Sequence, residues 1–346
     1  MEFKFGGSET NQKTVLGHPS GLFVLFFTEM WERFSYYGMR ALLVLFLVST
    51  LIDGGWEWER ADALVLYGWY TGLVYLTPII GGFIADKFMG YRKAVILGAF
   101  IMTLGHASMA LEGLTSIFFY AGLTFLIVGN GLFKPNISSM VGQLYKSQGK
   151  EKDAGYTIFY MGINAGAFLG ILLCGYIGEN VSWHYGFGLA GIFMFFGMLQ
   201  FYFSQKIFGK IGLTPVKVGD FEDVIEDSVE KIEEDIEEIV KGVENSKVVR
   251  DRMIVIGILS LFVVFFWWAF EQAGGSMTIF AADYTDRALE GSAATSFKII
   301  NTIITVIPML VITWVLAMLF KQTYSKYSFA NIILGLSFVI IWGIVI

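Results

Sequence analysis

Reactive and metal-ligating residues are scarce in this sequence. It has one cysteine, Cys174, which excludes an internal disulfide and a cysteine-only metal site. Its three histidines, His18, His106 and His184, are far apart and match no metal-ligand spacing. No phosphate-binding loop and no nucleophile motif is present, so we expect neither an enzyme nor an ATPase. Cys174 lies in an apolar stretch and is expected to be a packing residue.

Charge is also scarce. Charged residues make up 16% of the 346 residues, against about 25% in soluble domains. Hydrophobic residues make up 55%, and the mean hydropathy is +0.62. Residues 1–20 lack the apolar core of a cleavable signal peptide, so we expect the first apolar span to act as the insertion signal. The composition therefore predicts an all-α, multi-pass protein of the cell membrane, with the lipid bilayer as partner and no nucleic acid.

Nine apolar stretches are long enough to be membrane helices. They cover about residues 21–48, 63–85, 94–111, 116–141, 155–177, 185–204, 253–274, 297–319 and 329–346. Six precede a hydrophilic segment and three follow it, a layout typical of transporters built from two six-helix bundles. We expect a six-helix bundle over 1–205, a cytoplasmic linker over 206–251, and an incomplete second bundle over 252–346. On this interpretation three further helices are missing from the sequence.

The distribution of basic residues predicts the orientation. With the amino terminus in the cytoplasm, 18 of the 24 lysines and arginines fall in inside segments, and the outside loops hold only Arg60 and Arg287. Within the linker, apolar residues repeat at steps of three and four between residues 225 and 243, with acidic residues in the gaps. This pattern predicts an amphipathic helix, whose apolar stripe could pack on the cytoplasmic end of the bundle. A solvated tether is the alternative.

The first span contains a stripe of charged and phenolic side chains. At roughly 100° per residue, six of them fall within an arc of about 140°: Glu29, Glu32, Arg33, Tyr36, Tyr37 and Arg40. One charge at the bilayer centre costs about 2.5–3.5 kcal/mol, so the stripe must face other helices or water. Its charges can neutralise one another. The stripe is therefore either a structural ion-pair cluster or a site that recognises a polar solute.

The fourth and fifth spans hold the next candidates. Lys134 adjoins Pro135, which removes a helix hydrogen bond. The Lys134 ammonium needs an anionic partner or water, unless its side chain snorkels to the inner interface. Tyr160 and Asn164 lie one turn apart on one face, where both can contact a solute. The fifth span also has a small-residue ridge that lets helices approach closely, formed by Gly162, Gly166 and Gly170.

Later spans and one loop complete the set. Glu271, near the outer end of the seventh span, is predicted to be a gate partner or proton site, with interfacial exposure as the alternative. Asn301 is a polar residue within the eighth span. Between the second and third spans, Asp86 can accept from the amides of the next helix and Arg92 can pair with acids. We interpret this turn as a conformational latch on the inner face.

Three motifs resemble those of the proton-dependent oligopeptide transporters, a family of the major facilitator superfamily. The family's first-helix signature, E-x-x-E-R-F-x-Y-Y-G, matches residues 29–38 at every fixed position. Its G-G-x-x-A-D-x-x-x-G pattern matches residues 81–90, and its F-Y-x-x-I-N-x-G pattern matches residues 159–166. The motifs occur in the family's order, and the resemblance extends from about residue 17 to the end, apart from the linker.

The resemblance implies a major facilitator fold and import of di- and tripeptides, with protons as the coupling ion and no cofactor. It implies a peptide site lined by Arg33, Tyr37, Arg40, Tyr75, Lys134, Tyr160, Asn164, Trp267 and Asn301. It assigns proton coupling to Glu29, Glu32 and Glu271. The family also uses groups on its tenth and eleventh helices, which this sequence lacks. Two alternatives stay open: a major facilitator exchanger for nitrate or a drug-like solute, and a non-transporting membrane receptor or subunit.

Overall fold

The computed structural model describes residues 3–146, 149–214 and 246–346. Its contacts divide the chain into two units, Met1–Thr214 with Ile279–Ile346, and Pro215–Thr278. The amphipathic helix predicted between residues 225 and 243 lies outside the described residues, so it stays a prediction.

The described part of the chain is almost entirely helical. Its α-helices are α1 (Ser20–Val48), α2 (Arg60–Ile84), α3 (Tyr91–Met109), α4 (Ser116–Gln143), α5 (Lys150–Asn180), α6 (Trp183–Ser204), α7 (Ser246–Glu271), α8 (Ser276–Tyr284) and α9 (Gly291–Val345). A π-helix (Ala85–Met89) follows α2, and 3-10 turns occupy Glu9–Gln12, Gln205–Phe208 and Gln272–Gly274. Two short strands, Thr14–Val15 and His18–Pro19, pair antiparallel before α1. Within the described residues, six helical segments are long and apolar enough to cross a membrane, those formed by α2, α4, α5, α6, α7 and α9.

The nine predicted spans all fall on helices, but the last two share one element. The eighth and ninth spans lie within α9, which breaks at Tyr327 (φ −129°, ψ 43°). The two arms of α9 pack against each other after this break. The Trp342 indole N–H on the second arm donates to the Thr313 hydroxyl on the first at 3.0 Å. The nine-residue α8 was not predicted, since it is too short to register as a span.

Helix α1 lies at the centre of its unit, with both faces buried. Its amino-terminal amides are capped from a distance: the Asn11 side-chain oxygen accepts from the Gly21 N–H at 2.6 Å. The face opposite the charged stripe packs on α6, where the Phe193 ring lies 4.8 Å from Trp31 and 4.5 Å from Phe34 between centroids. Helix α1 tolerates its charges because the four charged residues of the stripe are at most 4% exposed.

The predicted glycine ridge is confirmed at the crossing of α1 and α5. A Cβ added at Gly166 would lie 2.1 Å from the Met30 carbonyl oxygen, and one at Gly170 would lie 2.2 Å from that of Phe34. Only glycine permits backbones to approach this closely. Cys174 follows on the same helix and is fully buried, as expected of a packing residue.

Candidate functional site

The centre of the candidate site is an ion-pair group on α1. Glu29, Glu32 and Arg33 are at most 4% exposed. The Arg33 Nε–H donates to Glu29 Oε1 at 2.7 Å, and the same nitrogen lies 2.8 Å from Glu32 Oε2. A buried guanidinium between two carboxylates keeps three charges out of lipid. The predicted burial is thus confirmed for the charged residues of the stripe, and the predicted pairing is confirmed for Glu29, Glu32 and Arg33.

The carboxy-terminal part of the stripe has aromatic rings around Arg40. The Arg40 guanidinium carbon lies 5.5 Å from the ring centroid of Tyr37 and 5.6 Å from that of Tyr67, on α2. The Tyr36 ring lies 5.7 Å from the Arg33 guanidinium carbon. Arginine over an aromatic face gains roughly 0.5–2 kcal/mol, more when it is desolvated. These rings hold the cations without neutralising them.

Helix α4 adds an amide and an ammonium. The Asn130 Nδ2–H donates to Glu32 Oε1 at 2.9 Å, and both residues are at most 1% exposed. The Lys134 ammonium lies 4.5 Å from the Tyr75 ring centroid, on α2, and it interacts electrostatically with Glu32. We refer to Glu29, Glu32, Arg33, Asn130 and Lys134 as the charged cluster. It joins α1 to α4 through side chains 98 positions apart in sequence.

The predicted site residues of α5 and α9 lie on other surfaces. Asn164 lines a groove of about 580 Å³, which is otherwise formed by apolar side chains of α1, α5 and α9, such as Phe26 and Ile307. Tyr160 is 61% exposed, and Asn301 is also exposed on α9. The structure therefore brings the α1, α2 and α4 candidates together and leaves these three outside the charged cluster.

Two further candidates, Trp267 and Glu271, lie one turn apart on α7, in the unit Pro215–Thr278. The Trp267 ring centroid is 5.2 Å from that of Phe270, in an edge-on arrangement. Because they are four positions apart, the two residues share one face of α7.

The predicted latch has a different set of contacts from the expected one. Arg92 is buried, and its guanidinium donates to the backbone carbonyls of Ile211, at 2.6 Å, and Gly209. The expected acidic partner is replaced by carbonyls that the turn after α6 leaves unpaired. Asp86 is exposed and interacts electrostatically with the Tyr91 side chain. Gly90 between them has φ +76° and a carbonyl where a Cβ would be, so glycine is required here.

Two ion pairs at the opposite end were not predicted. Arg60 lies 2.6 Å from Asp283, and Arg287 lies 2.9 Å from Glu179. Both pairs line a cavity of about 440 Å³. They link the ends of α2 and α5 to α8 and the segment that follows it. Sequence reasoning missed them because the partners lie at the ends of elements that are far apart in sequence and share no motif.

Sequence reasoning also missed Asn130, although a signal was available. Asn130 precedes Lys134 by four residues, which places both on one face of α4. A carboxamide on the same intramembrane face as a lysine is a candidate partner for the acids of α1. Tyr70, on α2, is 3% exposed and interacts electrostatically with Glu32 and Arg40, but nothing in its local sequence distinguishes it from a packing residue.

Comparison with known proteins identifies relatives along most of the chain. A family model described as the POT family matches residues 92–221. The chain is 35% identical to the uncharacterized transporter YclF of Bacillus subtilis, across 95% of the chain and 74% of that protein. It is 34% identical to the peptide transporter YePEPT of Yersinia enterocolitica, across 94% of the chain and 72% of that protein.

Solved structures of POT family transporters are also similar to this chain. A peptide transporter POT in complex with sulfate has a TM-score of 0.63 and 30% identity, covering 90% of this chain and 71% of that one. A POT family transporter in complex with a thioalcohol-conjugated peptide has a TM-score of 0.65 and 30% identity, covering 82% of this chain and 66% of that one. The fold of this chain is thus similar to that of helical membrane transporters.

Proposed function

The chain belongs to the POT family, and we propose that it imports di- and tripeptides through the membrane together with protons. The observation that carries this proposal is the charged cluster of α1 and α4, in which two carboxylates share one guanidinium beside an ammonium. We propose that both helices lie within the membrane. Intramembrane ionisable groups that pair with one another are typical of proton relays and solute pathways. The similarity to a Yersinia peptide transporter and to the Lactococcus lactis di-/tripeptide transporter supports the substrate class.

The chemistry of a peptide suits these side chains. A peptide carboxylate needs a cation, and Arg33 and Lys134 are the cations of the charged cluster. Arginine binds a carboxylate through a planar fork, whereas lysine acts as a point charge. We propose that the amino terminus, backbone and variable side chains of the peptide contact the other predicted lining residues: Tyr37, Arg40, Tyr75, Tyr160, Asn164, Trp267 and Asn301.

Proton coupling follows from competition for Arg33. A peptide carboxylate that pairs with Arg33 displaces Glu29 or Glu32, and a displaced carboxylate in a dry cavity is neutralised by taking up a proton. The two arrangements, carboxylate on Arg33 and peptide on Arg33, form the two-state element that alternating access needs. We propose that Glu271 serves as a second proton site and that Asp86 and Arg92 form the inner latch.

The two outer ion pairs have the properties of a gate. Arg60 and Arg287 are about 60% exposed, and exposed ion pairs contribute only about 0–1 kcal/mol each. Pairs of this strength hold the ends of α2 and α5 to α8 and the segment that follows it, yet open without a large penalty. We propose that they close the outer side in this conformation.

The charge distribution supports a cytoplasmic amino terminus and a cytoplasmic segment 206–251. The test is a Ser228→Cys variant, because the natural cysteine, Cys174, is buried. A membrane-impermeant thiol reagent should label the variant only after the cells are opened. Labelling in intact cells would reverse the proposed orientation.

The test of the function itself is uptake of a labelled dipeptide into liposomes that contain the protein. We expect accumulation when the outside is more acidic than the inside, and loss of accumulation when an ionophore removes the gradient. A labelled single amino acid and nitrate serve as controls for solute class. Gradient-driven accumulation of nitrate without accumulation of dipeptide would refute the proposal.

A further inference from the structure

We propose that Asn130 is a positioning residue that holds the Glu32 side chain in both of its protonation states and ties it to α4. The inference deepens the proposed function, and its test by dipeptide uptake rests on that function. It assigns to Asn130 no contact with the peptide. Its action is on the geometry and protonation of Glu32.

The two oxygens of Glu32 have partners on different helices. Oε2 faces the Arg33 Nε on α1 at 2.8 Å, whereas Oε1 accepts from the Asn130 Nδ2 on α4 at 2.9 Å. Glu32 has no exposed surface, and Asn130 is 1% exposed, so water does not compete for either contact. The Asn130 amide thus donates a hydrogen bond that ties Glu32 to another helix, and this bond fixes the plane of the Glu32 carboxylate relative to α4.

An amide can serve an acid in either protonation state. An ionised carboxylate only accepts, so the amide nitrogen must face it, as in this structure; a protonated carboxyl also has one O–H to donate. Among the described residues, the Asn130 Oδ1 is buried without a hydrogen-bond partner. The χ2 torsion of asparagine is broad and roughly two-fold. A half-turn about χ2 therefore presents Oδ1 to a protonated Glu32, and satisfies the oxygen that the ionised state leaves unpaired.

The other charged and titratable groups near Glu32 do not offer this exchange. On α1, Glu29 is a second acceptor and Arg33 is a donor only. On α4, Lys134 is a donor only, and on α2 the Tyr70 hydroxyl interacts electrostatically with Glu32. Of these described neighbours, Asn130 is in hydrogen-bond contact with Glu32 and carries both a donor and an acceptor.

The test compares two asparagines of α4. Asn136 is also 1% exposed, but its Nδ2 donates to the backbone carbonyls of Leu132, at 2.7 Å, and Gly81, at 3.4 Å. Asn130→Leu and Asn136→Leu change the same chemistry on one helix, and only the first removes a contact with Glu32. Each variant is made in the full chain and reconstituted in liposomes.

The first readout does not depend on transport. Infrared difference spectra recorded during a pH titration give a carboxyl band, and its loss in Glu32→Gln assigns it to Glu32. We expect Asn130→Leu to move the midpoint of this band to higher pH by about 0.5–1 unit, because the lost bond to the charged form is about twice as strong as the lost bond to the neutral form. Asn136→Leu should leave the midpoint unchanged. Equal midpoints for the two variants would overturn the inference.

The second readout is the pH profile of dipeptide uptake. Asn130→Leu should move the alkaline limb of this profile to higher pH. In a Glu32→Gln background, Asn130→Leu should cause no further movement of the limb. An added shift in that background would mean that Asn130 does not act through Glu32. If Asn130→Leu does not fold, Asn130→Asp decides: two adjacent carboxylates cannot both ionise readily, so the Glu32 band should appear at higher pH by more than one unit, and an unmoved band overturns the inference.

The two proposals fail in different ways. If the Glu32 band moves in Asn130→Leu but the wild-type protein takes up no peptide, peptide import is refuted and the role of Asn130 stands. A wild-type protein that imports peptide, with a band indifferent to Asn130→Leu, would refute the role of Asn130 alone.

Discussion

Replacing Gly166 by alanine should separate α1 from α5 at the level of the charged cluster. The new Cβ would lie 2.1 Å from the Met30 carbonyl oxygen and 2.9 Å from the Arg33 Cβ. The first distance is about 0.9 Å shorter than the 3.0 Å below which a neighbour has to shift. Because that neighbour is backbone, no side-chain rotation relieves the clash, and the helices have to move apart.

The size of the effect can be derived by comparison with Gly175 on the same helix, where a Cβ would meet nothing within 4 Å. Alanine is favoured over glycine in a helix by about 1 kcal/mol at either position. Overpacking costs about 1–3 kcal/mol and applies to Gly166 alone. The difference in stability between the two variants is therefore about 1–3 kcal/mol. At roughly 2–4 °C per kcal/mol, Gly166→Ala should melt about 2–12 °C below Gly175→Ala.

The assay is thermal unfolding of both variants in one detergent, followed by tryptophan fluorescence, with dipeptide uptake measured in parallel. Uptake should fall in Gly166→Ala, because Arg33 moves with α1, and should stay near wild type in Gly175→Ala. Equal melting temperatures would refute the close approach of α1 and α5. A lower melting temperature for Gly175→Ala would refute the assignment of the tight crossing to Gly166.

Three more predictions concern the site and the amino-terminal segment. Arg33→Ala and Lys134→Ala should each abolish dipeptide uptake, because each removes a cation available to the peptide carboxylate; wild-type affinity in either variant would contradict its assignment. Glu32→Gln should keep peptide counterflow but lose gradient-driven accumulation, because the amide imitates a protonated acid, and normal accumulation would remove Glu32 from the coupling role. Burial lowers the pKa of His18, whose Nδ1 lies 2.7 Å from the Tyr145 hydroxyl. Neutral His18 therefore stabilises the segment before α1 above its unfolded pKa of about 6.5, and this stabilisation is lost as the pH falls through the lower folded value. Amide-exchange protection of residues 5–19 should decline with acid, and His18→Gln should abolish the decline; an identical decline in the variant would rule out His18 as its cause.

Several features of this protein could be predicted from sequence because their energetics are local or depend only on solvent. Apolar runs of about 20 residues must form helices in lipid, since each backbone group has to be satisfied within its own segment. A stripe containing Glu29, Glu32 and Arg33 must be buried and paired, because an isolated charge in lipid is too costly. The ridge that includes Gly166 indicates close packing for the same local reason, the absence of a side chain on one helix face.

The tertiary structure decided which groups become partners. Asn130 meets Glu32 across 98 residues, and Arg92 donates to carbonyls after α6 instead of to an acid. The ion pairs Arg60–Asp283 and Arg287–Glu179 likewise have no local signal, because their partners are far apart in sequence. Helical periodicity determines which side chains share a face, but the choice of neighbour depends on how the helices cross and on the distances that their backbones allow.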